Sequence, residues 1–289
     1  MKNLKHYLER AHSEGWAIGQ FNFSDFSEVK GIIAAAEILK SPIILGTSEG
    51  EAKFFGPEEA VAIRDALRKK TGLPIFLNLD HGKSSEYLRK AVEAHYDMVH
   101  FDGSKLSLEE NIKISKEVAL LAHKNGIVVE GEVGRIGTDA SRVYNEKFKI
   151  KEEDLTDTGE AEKYLKETKI DVLAVSVGTF HGIDISGVSP NVRLDRLKDI
   201  AEKIKIPLVL HGGSGTPEED IKKSIELGIC KININTDLRI AFSEALREAL
   251  EHDKDEIVPY KYLPPAVEAV KKIVEKSIKL FGSQNKIEK

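Results

Sequence analysis

The chain has 289 residues, 41% hydrophobic and 31% charged, with a formal net charge of -5. That is the make-up of a globular protein with apolar residues to spare for a core, and the lack of a basic surplus argues against nucleic acid as a partner. A single cysteine, Cys230 in an apolar run, excludes an intramolecular disulfide framework and fits a reducing cytoplasm.

The first element is an amphipathic helix over 3–14, with Asn3 before it and Leu4, Tyr7, Leu8 and Ala11 on one face. No signal-peptide core precedes it, and no apolar stretch in the chain approaches the ~20 residues of a membrane span. Eight apolar or β-branched runs follow, at 17–23, 42–47, 74–79, 98–101, 127–133, 172–177, 207–210 and 230–234. Helical patterns with charged faces separate most of them, at 28–39, 57–69, 84–94, 108–124, 194–203 and 217–227. Another helix reads over 237–252, and a last one over 266–281 opens behind Pro264-Pro265, with frayed residues expected after Gly282. Near-continuous apolar strands separated by helices predict a parallel sheet buried on both faces. Eight such units make an α/β fold of the (β/α)8 TIM-barrel class, a single domain over 1–289 with an extra N-terminal helix and a C-terminal helical extension. An open doubly wound sheet is the alternative, weakened by the absence of Gly-x-Gly-x-x-Gly after the first strand. Two irregular stretches, 134–158 and 182–191, follow strands five and six, where a barrel enzyme keeps mobile active-site loops.

Nine histidines punctuate the chain. His6, His12, His95, His123 and His252 fall in helical segments and read as surface or partly packed residues; His100, inside the fourth strand, reads as core or barrel lining ahead of a metal ligand. His81, His181 and His211 differ, because each closes a predicted strand and precedes Gly. Three neutral imidazoles with an open coordination position describe a catalytic Zn²⁺ site, although other divalent metals fit such ligands. Asp80 adjoins His81, and strand alternation points the two apart, the histidine to metal and the carboxylate to substrate. Its alternative is a partner that orients a histidine. Asp102 ends the fourth strand. Glu130 and Glu132 share one face of the fifth, so one can support a metal and the other a barrel-bottom salt bridge. Gly212-Gly213-Ser214-Gly215 and Asn233-Ile234-Asn235-Thr236 link strands seven and eight to helices, the usual phosphate loops of such barrels. A small phosphorylated substrate follows.

Six motifs stand in order: Asn78-Leu79-Asp80-His81-Gly82, Phe101-Asp102-Gly103-Ser104, Glu130-Gly131-Glu132-Val133-Gly134, Gly178-Thr179-Phe180-His181-Gly182, His211-Gly212-Gly213-Ser214-Gly215 and Lys231-Ile232-Asn233-Ile234-Asn235-Thr236-Asp237-Leu238-Arg239. Together they resemble class II metal-dependent ketose-bisphosphate aldolases, a family with fructose- and tagatose-bisphosphate members. The resemblance extends from Gly19-Gln20-Phe21-Asn22 to Leu280-Phe281-Gly282-Ser283. It implies zinc on His81, His181 and His211, Asp80 as proton donor and acceptor, and Asp102 and Glu132 at the second metal position of some members. It also implies dihydroxyacetone phosphate binding at Gly182, Gly212, Gly213, Ser214, Asn233, Ile234, Asn235 and Thr236, a monovalent cation near the phosphate, and a homodimer or homotetramer. The implied reaction is reversible cleavage of fructose 1,6-bisphosphate, or a close ketose bisphosphate such as the tagatose isomer, at the C3–C4 bond. Asp80 takes the C4 hydroxyl proton, with the metal as electron sink.

The loop after strand five departs from the family pattern. It reads Ile136-Gly137-Thr138-Asp139-Ala140-Ser141-Arg142, which leaves Asp139 and the later Glu146 as candidate acids for the final protonation. Asn235 stands where the family carries an aspartate, and the arginine expected before the last helix for the second phosphate has only Lys261 in its region. Competing readings are a metal-dependent isomerase or hydrolase on the same barrel and a non-catalytic sugar-phosphate-binding paralogue.

Overall fold

Helix α1 (Leu4–Glu14) starts where the Asn3 side chain accepts from the N–H of His6, and it stops at Gly15 in the left-handed region. The computed structural model describes residues 2–136, 143–145, 150–183 and 191–288. Strand and helix then alternate: β1 (Ile18–Asn22), α2 (Phe26–Leu39), β2 (Ile43–Ser48), α3 (Glu49–Phe55), α4 (Pro57–Thr71), β3 (Ile75–Gly82), α5 (Ser85–Glu93), β4 (Met98–Phe101) and α6 (Leu108–Lys124). The second half runs β5 (Val128–Val133), α7 (Thr158–Thr168), β6 (Val172–Val175), α8 (Leu194–Lys203), β7 (Leu208–Leu210), α9 (Glu218–Glu226) and β8 (Ile229–Ile234). Helices α10 (Thr236–His252), α11 (Pro259–Tyr262) and α12 (Pro264–Leu280) complete the chain. All eight strands are parallel and close in sequence order, with β1 paired to β8. The fold is the expected (β/α)8 barrel.

Alternation along the strands sorts the barrel interior into layers. At the N-terminal end Ile18, Ile44, Phe76, Met98, Val128 and Val172 pack on Leu4, Tyr7 and Leu8, so α1 plugs the bottom. Two residues further along, the inward positions turn polar, with Gln20, Asn78, His100 and Glu130, all fully buried. One step higher stand Asn22, Asp80 and Glu132. On β2 the matching inward position is Gly46. A Cβ there would lie 2.2 Å from Asn22 Oδ1 and 2.7 Å from Gln20 Nε2, so only glycine lets those amides cross the strand. Gln20 Oε1 accepts from Asn78 Nδ2 at 2.8 Å as a result.

Outside the barrel, helices bury their apolar stripes on the other face of the strands, with Ile32, Ile43, Leu77, Val99, Leu173 and Val270 in one continuous core. Each such side chain contributes about 1.5–3 kcal/mol on leaving water. Helix α12 packs against α2 and α10 and closes the ring of helices. No helix among the described residues is long and apolar enough to cross a membrane.

The tail after Gly282 is not frayed. Ser283 is fully buried and accepts from Ser41 Oγ at 3.0 Å, and the N–H of Asn285 reaches Leu39 O at 2.8 Å. These bonds tie the tail to the end of α2, which no apolar pattern announces. The two irregular stretches meet each other: Val143 and Ile183 form a parallel bridge, and the Tyr144 N–H donates to Ile183 O at 2.8 Å.

Glu28 in the capping box of α2 gives a pH-dependent contribution. Its carboxylate accepts from the N–H groups of Ser24 (2.7 Å) and Asp25 (3.2 Å), yet burial, with Glu51 and Asp25 nearby, pushes its pKa up to about 7. A pKa raised on folding means that the native state holds the proton more tightly. The contribution is therefore complete below the ordinary value of 4.5 and is lost as pH rises to about 7. Glu28→Gln keeps the acceptor and cannot ionise. Denaturant titrations at pH 5 and pH 8 are expected to show the variant losing less stability over that interval than wild type, by roughly 3 kcal/mol.

Candidate metal centre and active site

The two neighbours at the end of β3 set the geometry. Alternation predicts that Asp80 and His81 face opposite ways; instead both face the barrel mouth, with His81 Nε2 3.9 Å from Asp80 Oδ1. The reason is a register shift between Leu79 and Gly82, where His81 adopts φ 47°, in the left-handed region. An irregularity of one residue cancels the alternation.

Asp80 is 5% exposed and is gripped by two amides: Asn22 Nδ2 donates to Oδ2 at 3.0 Å and Asn233 Nδ2 to Oδ1 at 3.1 Å. Burial alone would raise its pKa, but the charges around it, His81 first and Lys231 among them, outweigh burial and hold the carboxyl well below the usual range. An ionised, doubly oriented carboxylate results. Behind it, Asn22 Nδ2 also donates to Glu51 Oε2 at 3.0 Å, and Arg239 holds the other oxygen of Glu51.

Each histidine has a distinct setting. His81 Nδ1 lies 3.0 Å from Asp102 Oδ2, and Asp102 itself accepts from Ser104 Oγ at 2.6 Å. His211 Nε2 lies 2.6 Å from Glu130 Oε1, while Lys231 Nζ donates to Glu130 Oε2 at 2.8 Å and to Asn233 Oδ1 at 2.7 Å. Carboxylates that fix one ring nitrogen leave the other with its lone pair, the usual support of a metal-binding imidazole. Burial, then the neighbouring His81, hold the pKa of His211 down at about 4; burial with His81 and His211 does the same, well below the usual value, for His181. Both are in the neutral form that metals require. Glu130 serves as the barrel salt bridge that the strand-face argument expects of one of the two glutamates. Removing Lys231 or Glu130 would strand a fully buried charge, at a cost of about 3–5 kcal/mol.

Rings of His81, His181 and His211 stand 4.4, 4.6 and 5.7 Å apart, centroid to centroid. Two sets of donor atoms each lie within 4.8 Å of one another: Asp80, His81, His100 and His211; and His81, Asp102 and Glu132. His181 lies beside these sets, edge-on to His81 at 90°. His100 is thus more than barrel lining. Its ring is 4.6 Å from His81, and its Nδ1 accepts from the His81 N–H at 3.2 Å. Burial disfavours a charge on His100, but Glu130, Asp80 and Glu132 hold its pKa up at about 10. The bond from His81 instead requires an unprotonated Nδ1; we favour the bond, because a cation among the same carboxylates would offset their field.

Among the described residues, the buried side-chain atoms without a hydrogen-bond partner include His81 Nε2, His100 Nε2 and Glu132 Oε2. The last two approach to 3.3 Å without hydrogen-bond alignment. Such atoms are rare in proteins unless something else satisfies them. Of these, His81 Nε2 and Glu132 Oε2, a ring nitrogen and a carboxylate oxygen of one donor group, fit a divalent cation.

A cavity of about 320 Å³ opens over this cluster, lined by Asp80, His81, His181 and His211 and by Gly182, Gly212, Ser214, Asn233, Asn235 and Thr236. Gly212 has φ 67°, and a Cβ on it would sit 2.5 Å from Phe180 O, so the loop after β7 can take this path only with glycine. Two of the expected loop residues do not line the cavity. Ile234 points into the outer core, and Gly213 packs on Ile232 and Ile234. The expected acids Asp139 and Glu146 lie outside the described residues. Lys261 pairs with Glu256 at 2.9 Å and is not among the cavity residues. Lys83, Lys105, Arg135 and Arg239, basic residues to which sequence reasoning assigns no role, line the mouth. Asn22, Glu51 and Lys231 are missed as well. A lysine or an amide at an inward position of an apolar strand is the signal that could have found them.

Fold and site together define a barrel that gathers imidazoles and carboxylates at the C-terminal ends of its strands. The family profile described as "Fructose-bisphosphate aldolase class-II" matches residues 2–286. A fructose-bisphosphate aldolase of Thermus caldophilus is 38% identical over 298 residues, covering 96% of each chain. A sulfofructosephosphate aldolase of Alkalicoccus urumqiensis is 37% identical over 283 residues, covering 98% of this chain and 96% of its own. Among solved structures, the YdjI aldolase of Escherichia coli K12 superposes with a TM-score of 0.83 at 30% identity over the full length of both chains. The chain belongs to the class II fructose-bisphosphate aldolase family, whose members are metal-dependent.

Proposed function

We propose that the chain is a zinc-dependent aldolase that reversibly cleaves fructose 1,6-bisphosphate to dihydroxyacetone phosphate and glyceraldehyde 3-phosphate. The observation that carries the reading is the ionised Asp80, held by Asn22 and Asn233 beside the unpartnered Nε2 of His81. His81, His181 and His211 would hold the cation, with Asp102 and Glu132 at a second position. A cation bound there supplies Lewis-acid polarisation of the ketose carbonyl.

The rest is the work of the chain's own residues. Asp80 accepts the C4 hydroxyl proton as the C3–C4 bond breaks; its two amide donors fix the lone pair that receives it. Gly212, Ser214 and the N-terminus of α10 at Thr236 offer backbone and hydroxyl donors to the phosphate of the dihydroxyacetone half. Lys83, Lys105, Arg135 and Arg239 around the mouth suit a second anionic group on the aldehyde half. The substrate is thus a small sugar phosphate handled by one barrel domain. Zinc is the metal, a monovalent cation near the phosphate is part of the reading, and the cytoplasm is the compartment, in keeping with the fully buried thiol of Cys230. A homodimer or homotetramer is supported by Ile257 and Tyr260, 84% and 77% exposed.

A second reading, a closely related ketose-phosphate substrate, is favoured by Asn235, whose Oδ1 is buried without a partner. Initial rates on fructose 1,6-bisphosphate, tagatose 1,6-bisphosphate and sulfofructose phosphate separate the two. The highest kcat/KM belongs to fructose 1,6-bisphosphate on the first reading; a higher value for either of the others transfers the assignment.

A further inference from the structure

His81 is one of five described non-glycine residues with positive φ, the others being Lys40, His95, Lys169 and Asn285. Lys40 and Lys169 close helices, His95 follows one, and Asn285 is in the tail. His81 alone among them sits within a strand. That conformation costs of order 1–3 kcal/mol and persists only where the surroundings over-determine it. What holds it is visible on both sides. After the irregularity, the N–H of Asp102 donates to Gly82 O at 3.0 Å and restores the pairing of β3 with β4. Within it, the N–H of His81 is taken by a side chain, Nδ1 of His100 on β4, at 3.2 Å. His100 is fully buried, and its ring packs against those of His81 and His211 at 4.6 and 4.9 Å.

We propose that His100 is a positioning residue that clamps the backbone of His81 and so turns Asp80 and His81 together toward the cation site. The inference rests on the reading of His81 as a metal ligand. With Nδ1 engaged as acceptor, the neutral ring carries its proton on Nε2, facing Glu132 Oε2 at 3.3 Å. His100 therefore supports the site from behind, not as a ligand. Its two nitrogens have separable tasks. Asn at this position carries an oxygen at the place of Nδ1, and Gln carries its polar atoms at the place of Nε2. An apolar residue of similar size fills the space and leaves the His81 N–H buried without an acceptor.

The test is zinc titration of chelator-stripped protein in competition with a chromophoric chelator, for wild type, H100L, H100N and H100Q, with the absorption spectrum of each Co²⁺-loaded form. Zinc affinity is expected to fall about 10- to 100-fold in H100L, the usual effect of losing an outer support. H100N recovers most of that affinity and the wild-type Co²⁺ spectrum, and H100Q recovers neither. Wild-type affinity in H100L, or equal recovery in H100N and H100Q, overturns the proposal. Should H100L fail to fold, the contrast between H100N and H100Q decides. A wild type that binds no zinc overturns the ligand reading and this proposal together; a wild type that binds tightly with all three variants unchanged overturns this proposal alone.

Discussion

Asp80→Asn is expected to lower kcat/KM for cleavage of fructose 1,6-bisphosphate by about 10²- to 10⁴-fold, the range for removing a positioned general base. In free energy that is about 3–5.5 kcal/mol of lost transition-state stabilisation. The size follows from the setting of Asp80. Burial would neutralise an isolated carboxylate, yet His81 and Lys231 hold it ionised, and Asn22 and Asn233 hold it still. An amide keeps the shape and loses the basic oxygen. It also sets an NH2 group against one of the two amide donors, leaving a buried N–H unpaired at a cost of about 1–3 kcal/mol. Steady-state kinetics should be read beside a denaturant midpoint. A folded Asp80→Asn protein with wild-type turnover removes Asp80 from its assigned role.

His211→Ala is expected to cost more in metal affinity than any support residue does, beyond about 100-fold. His211 is fully buried and neutral, with Nε2 against Glu130 at 2.6 Å and Nδ1 3.3 Å from Asn233 Nδ2, the amide that also holds Asp80. Nothing else described on β7 could replace it: Leu208, Val209 and Leu210 are apolar, and Gly212 follows. Elemental analysis of the purified variant should find substoichiometric metal while the circular dichroism of the barrel is kept. Stoichiometric zinc in folded His211→Ala would contradict the ligand assignment.

Much of this architecture is legible in the sequence because parallel strands buried on both faces must be written in apolar runs. The helices between them, with one face in water, must be amphipathic. Eight alternations then leave little choice of fold. Helix α3 is not legible in that way: seven residues, Glu49-Gly50-Glu51-Ala52-Lys53-Phe54-Phe55, are too short to display a period, and Ser48 with Glu51 caps them only once the backbone has turned. Glu51 thereby enters the site unannounced. The burial of Ser283 against Ser41 is likewise a long-range meeting of two small polar residues.

The candidate site divides along the same line. His81, His181 and His211 are visible because each follows an apolar run and precedes glycine, although His181 stands six residues beyond the end of β6. Asp80 beside His81 is visible as a pair, but its direction is not. Alternation is a rule for regular strands, and the left-handed backbone at His81 suspends it. His100 reads as lining because its own strand, Met98–Phe101, is otherwise apolar. Only the pairing of β3, β4 and β5 shows what it lines, with His81 on one side and Glu132 on the other. Ile234, another residue of the motif, has its side chain in the outer core.

On the proposed reading, aldol chemistry runs on Asp80 beside a bound divalent cation. The direct measurement is the release of triose phosphate from fructose 1,6-bisphosphate by purified wild-type protein before chelation, after complete metal removal, and after zinc is returned. Release that stops on removal and returns with zinc, with no enzyme–substrate adduct trapped by borohydride at any stage, is the predicted result. Undiminished release from metal-free protein would contradict it.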